Sequence, residues 1–125
     1  MRGPRYTGTV SDEPSIFTRI LRGEIPAEII AETEGAFAIR DIAPQAPVHV
    51  LVIPKSQEYR NVVELAAGDP QLLAEVVGLA NTLAAELAGG DFRLVFNTGA
   101  DAGQTVFHVH AHLLGGGLTE KSVGA

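Results

Sequence analysis

The stretch Phe107-His108-Val109-His110-Ala111-His112-Leu113-Leu114-Gly115-Gly116 decides how this chain is read. Histidine stands at every second position from 108 to 112, and apolar residues fill the positions between. Successive side chains of a β-strand point to opposite faces. A strand from Val106 to Leu114 therefore carries His108, His110 and His112 on one face and Val109, Ala111 and Leu113 on the other. The chain has 4 histidines in all, and three of them are stacked here. Buried imidazoles bring polar nitrogens that need partners, so an aligned row of them reads as a reaction site or a metal site rather than as packing.

Working outward, Val48-His49-Val50-Leu51-Val52-Ile53 is the most β-branched run and is apolar at both parities. It predicts a central strand covered on both faces, ended by Pro54-Lys55. His49 is its one polar interruption; taken alone, such a histidine is a satisfied core residue. Residues 28–32 and 36–40 predict two strands joined by a tight hairpin at Thr33-Glu34-Gly35, and residues 92–96 a fourth. Ser15 predicts an N-cap for a short helix with the stripe Ile16, Phe17, Ile20 and Leu21, closed by Arg22-Gly23. Asp69-Pro70 starts the one long helix. Its stripe of Leu72, Leu73, Val76, Ala80, Leu83, Ala84 and Leu87 runs to Gly89-Gly90 and must cover a sheet. Asp41-Ile42-Ala43-Pro44-Gln45-Ala46-Pro47 is a loop stiffened by its prolines. The fold class is α+β, with about five mainly antiparallel strands, one long helix and one short one. Residues 1–14 read as a flexible leader, 15–116 as the domain and 117–125 as a tail.

A length of 125 residues fits one domain, and 46% hydrophobic with 19% charged residues supports a core. The net charge of −6 argues against a general nucleic-acid binder, although one positive pocket could still hold a small phosphate ester. With no cysteine, disulfides, thiolate metal sites and cysteine nucleophiles are excluded. Residues 1–14 lack the apolar run of a signal peptide. No stretch reaches the roughly 20 apolar residues of a membrane span. The expected setting is cytoplasmic, with no membrane partner.

Two chemistries suit the histidine row. Histidines two apart on a strand can bind zinc with a third ligand from elsewhere, but positions i and i+2 lie about 7 Å apart along the strand, so three in line do not converge easily on one ion. Alternatively, a neutral imidazole attacks phosphorus and becomes phosphorylated or nucleotidylated. Its ordinary pKa of about 6.5 leaves much of it neutral at pH 7. Attack needs a lone pair on one ring nitrogen and a fixed proton on the other. Just upstream, Asn97-Thr98-Gly99-Ala100-Asp101-Ala102-Gly103-Gln104-Thr105 reads as an ordinary turn or, beside the row, as a phosphate cradle.

The run His108-Val109-His110-Ala111-His112-Leu113-Leu114 resembles the signature of the histidine triad superfamily, HIT. Ile16-Phe17, Gly23-Glu24-Ile25-Pro26-Ala27, the Asp41–Pro47 loop, His49, Leu51-Val52-Ile53-Pro54-Lys55, Asn97 and Gly103-Gln104-Thr105-Val106 resemble its Hint branch of nucleotide-binding proteins, in that order. The resemblance implies a HIT-like fold and a homodimer that uses no metal or other cofactor. It also implies a purine nucleoside phosphoramidase: His110 attacks the α-phosphorus, an amine leaves protonated, and water releases the nucleoside monophosphate. By the same resemblance, the His108 carbonyl orients His110, and His112 and His49 contact phosphate. Gln104 and the backbone of Gly103, Thr105 and Val106 would hold phosphate oxygens. Thr105 stands where the family has a serine near the leaving group. Asn97 would support the sugar–phosphate region, Asp41 would accept from the ribose hydroxyls, and Phe17, Ile20, Ile39 and Ile42 would line the purine pocket. Without the resemblance, those four apolar residues are core and Asp41 is a turn residue. Dinucleoside polyphosphate hydrolysis and regulatory nucleotide binding with little turnover are the alternative activities. The tail lacks the tryptophan and prolines of animal members of the branch.

Overall fold

The computed structural model describes residues 13–121; most of the expected leader, and residues 122–125 of the tail, lie outside them. The hairpin segments form β1 (Ile29–Glu32) and β2 (Ala36–Arg40), the β-branched run forms β3 (Val48–Pro54), and β4 (Arg93–Val95) and β5 (Ala111–Gly115) follow. All pairings are antiparallel and the strand order is β1-β2-β3-β5-β4. The short helix α1 (Ile16–Leu21) is capped by the Ser15 side chain, and the long helix α3 (Pro70–Leu87) by that of Asp69.

The apolar run of β3 is explained by a sheet covered twice. On one face, Val50 and Val52 join Ala36, Ala38, Ala111 and Leu113 beneath Val76, Leu79, Ala80, Leu83 and Ala84 of α3. On the other, Leu51 and Ile53 join Phe37 and Ile39 beneath Phe17 and Ile20 of α1. Removing these side chains from water is the main stabilising term. Small residues at 36, 38 and 111 let α3 lie close to the sheet.

Two differences from the sequence expectation have physical causes. Helix α2 (Val62–Gly68) adds a second short helix. Its signal was present: the Asn61 side chain accepts from the Glu64 N–H, and Glu64 reaches back to the Arg60 N–H at 2.9 Å, a close variant of the capping box. The histidine strand is also shorter than the alternation suggests. The β3–β5 ladder stops at the Val52–Ala111 pair, so His108 and His110 precede the strand. Pro54 has no N–H to continue the ladder, and its carbonyl accepts from the His108 ring. The segment before β5 is held instead by Val109 N–H donating to the Tyr59 carbonyl at 3.0 Å.

Candidate active site

The four histidines form a continuous row on the α1 face of the sheet. Phe17 meets the His108 and His110 rings edge-on at 5.5 and 4.9 Å between centroids. His110 lies 5.2 Å from His112, and His112 lies 5.3 Å from His49. The alternation thus keeps the three rings on one side although the strand supports only the last of them. His49 reaches the same end from β3, where Leu51 stands opposite His112.

Hydrogen bonds fix the neutral tautomer of each ring. The fully buried His108 donates from Nε2 to the Pro54 carbonyl at 2.7 Å and accepts at Nδ1 from the Ser15 hydroxyl at 2.5 Å. With both nitrogens committed, its side chain is a clamp. His110 donates from Nδ1 to the His108 carbonyl at 2.9 Å, which leaves the Nε2 lone pair available. His49 accepts at Nδ1 from the Gln45 N–H at 2.9 Å, so its proton sits on Nε2, 3.0 Å from His112 Nδ1. His112 accepts there and carries its own proton on Nε2. One ring of the row therefore offers a nucleophilic nitrogen and its neighbour offers a donor.

Burial pushes all four histidines below their ordinary pKa. For His112 the neighbouring charges on His110 and His49 add to burial, and its pKa falls to about 4 while Asp41 pulls the other way. The row is neutral near pH 7, as nucleophilic attack by an imidazole requires.

Asp41 follows β2 directly, with Oδ2 3.4 Å from His49 Nε2 and Oδ1 accepting from the Ala43 N–H at 2.7 Å. The β2–β3 register is what brings this carboxylate beside the histidines. Asp41, His49 and His112 offer ligand atoms within 4.8 Å of one another, the one such grouping among the described residues. Its chemistry fits a cation poorly, because the Gln45 N–H keeps the His49 proton on the nitrogen that faces the other two.

The remaining predicted residues divide. Phe17, Ile20 and Ile39 are buried in the α1-face cluster, with Val106 packed against it. Ile42 is 97% exposed on its loop and joins neither cluster. Thr105 is exposed and Asn97 is half-buried. Gly103 adopts a φ of +96°, and a Cβ there would stand 3.9 Å from Asn97 Nδ2. The Gln104 side chain, 3% exposed, is used within the protein. It accepts from the Gly99 N–H at 2.9 Å and donates to the carbonyls of Arg60 at 2.6 Å and Val106 at 3.1 Å. With both amide protons committed, it braces the loop rather than offering a phosphate donor. Sequence reasoning missed Ser15 and Pro54 as partners of His108. Ser15 showed only its capping role, and no local pattern marks a carbonyl as an imidazole acceptor.

Residues 22–118 match the HIT domain family. The chain is 40% identical over 106 residues to the purine nucleoside phosphoramidase of Escherichia coli K12, covering 83% of this chain and 88% of that one. It is 49% identical over 108 residues to an uncharacterised HIT-like protein of Synechocystis, covering 83% of this chain and 91% of that one. Among solved structures, a HIT family hydrolase from Clostridium thermocellum superposes with a TM-score of 0.77 at 46% identity, over 83% of this chain and 91% of the other. The chain belongs to the HIT family, and its sheet and helices are those of the HIT fold. Among the described residues no helix is long and apolar enough to cross a membrane.

Proposed function

We propose that the protein is a hydrolase of purine nucleoside phosphoramidates that works through a nucleotidyl-histidine. The observation that carries this reading is the 2.9 Å bond from His110 Nδ1–H to the His108 carbonyl, which directs the Nε2 lone pair away from the backbone. His110 attacks the α-phosphorus through Nε2, the P–N bond breaks, and the departing nitrogen takes a proton from solvent and leaves as the free amine. Water then cleaves the bond between phosphorus and Nε2, releasing the nucleoside monophosphate and restoring the free ring. His112 donates from Nε2 to a phosphate oxygen as charge builds there. In this reading Thr105 contacts the leaving group, and Asn97 and the Gly103–Val106 backbone hold the sugar–phosphate region. Asp41 accepts from the ribose, and the exposed Ile42 closes over the base opposite Phe17, Ile20 and Ile39.

The Escherichia coli phosphoramidase among the relatives supports the substrate class, and the Candida albicans histidine triad nucleotide-binding protein, 28% identical with a TM-score of 0.72, supports nucleotide binding. The reading includes a cytoplasmic homodimer, with β4 at one of the two edges of the sheet. The test is turnover of adenosine phosphoramidate by wild type and His110→Gly. The variant is expected to keep its fold and lose turnover; full activity in it would remove the nucleophile.

A further inference from the structure

Asp41 is held more firmly than a ribose acceptor on a loop needs to be. Its N–H donates to the His49 carbonyl at 3.1 Å, extending the β2–β3 pairing by one rung. The Ala43 N–H ties down Oδ1 at 2.7 Å. The other oxygen is then turned toward His49 Nε2, 3.4 Å away. The His49 ring is enclosed by polar partners on both edges: the Gln45 N–H on Nδ1, and His112 from β5 with Asp41 from the end of β2 on Nε2. Asp41 and His112 are the titratable groups described against it, with His110 beyond His112.

We propose that Asp41 is a positioning residue for the phosphate end of the site, acting through His49 on His112. The His49 Nε2–H is given to His112 Nδ1, and the carboxylate 3.4 Å from the same nitrogen holds the imidazole in line with His112 by its charge. His112 must then keep its proton on Nε2, the nitrogen left to meet phosphate oxygens. No proton changes owner; the carboxylate sets an orientation. One side chain therefore serves the sugar and the phosphate ends together. The turnover arm of the test below rests on the phosphoramidase reading, and the spectroscopic arm does not.

The experiment compares Asp41→Asn with wild type on adenosine phosphoramidate and on its dideoxyribose counterpart, which lacks both ring hydroxyls. A residue that serves only the ribose has nothing to lose on the second substrate. A positioning residue still lowers kcat on it, by about tenfold for the loss of one close charge contact. Equal rates of variant and wild type on the dideoxy substrate would overturn the proposal. The second arm follows the imidazole N–H protons of labelled protein by NMR. Asp41→Asn is expected to move the His49 Nε2–H signal upfield and leave that of His108, bonded to Pro54, in place. An unmoved His49 signal would also overturn the proposal. If wild type turns over neither substrate, the phosphoramidase reading falls, and the NMR arm still decides the role of Asp41.

Discussion

Replacing Ser15 by alanine removes one hydroxyl that does two jobs, and the structure sets the size of the effect. The hydroxyl oxygen caps α1 by accepting from the Thr18 N–H at 3.1 Å. Its proton satisfies Nδ1 of the fully buried His108 at 2.5 Å. Loss of a serine cap costs about 1 kcal/mol. A buried acceptor left without a donor costs about 1–3 kcal/mol. One hydroxyl carries both, so the contributions overlap, and a total of about 2–3 kcal/mol is expected. The Ser15 N–H bond to Gln57 Oε1 at 2.9 Å is backbone-based and survives. Urea unfolding of wild type, Ser15→Ala and Ser15→Thr measures the loss, and threonine should restore most of it because it keeps the hydroxyl. The functional consequence follows from the His108 carbonyl, which orients His110. A loosened His108 should lower kcat more than it raises KM. A stability loss below about 0.5 kcal/mol, with kcat unchanged, would refute the view that Ser15 clamps the row.

Gln104→Leu keeps the bulk of the side chain but strands the Gly99 N–H and the carbonyls of Arg60 and Val106; a loss of about 2–4 kcal/mol in urea unfolding is expected, with turnover reduced as the loop before His108 loosens. Gly115→Ala places a Cβ 2.7 Å from the Ala88 Cβ and 3.3 Å from the Asp91 carbonyl, so the end of β5 must move from the end of α3 at a cost of about 1–3 kcal/mol, read as a lower urea midpoint. Acid should destabilise the protein through its histidines. Each has a folded pKa below its unfolded value of about 6.5, so the unfolded chain binds protons that the folded chain excludes. The stability they contribute is complete above pH 6.5 and is lost as pH falls toward about 4, where His112 takes up its proton. Unfolding midpoints measured across that range test the sign.

Much of this architecture was legible because strong local signals agreed with the tertiary structure. The β2 segment, the α1 cap at Ser15 and the Asp69-Pro70 start of α3 stand where propensity and capping put them. Alternation was the less faithful guide at the histidines. It identified the side of the sheet correctly, yet residues 106–110 leave the ladder because a proline on β3 cannot donate. The two apolar faces of β3 announced a doubly covered strand, which is why His49 lies buried beside the row rather than on the surface. What pattern could not reveal was long-range: the carbonyl of Pro54 and the hydroxyl of Ser15 reach His108 across 54 and 93 positions of the chain. The glutamine before the row looked like a ligand-facing donor because sequence does not distinguish a side chain turned into its own loop from one turned outward.

The central claim is that His110 bonds transiently to phosphorus through Nε2. Mass spectrometry of wild-type protein quenched in acid-free denaturant during turnover of adenosine phosphoramidate tests it most directly. The account predicts one adenylyl group on the peptide that carries His110, absent from His110→Gly. Steady turnover with that peptide always unmodified, or with the added mass on another residue, would contradict it.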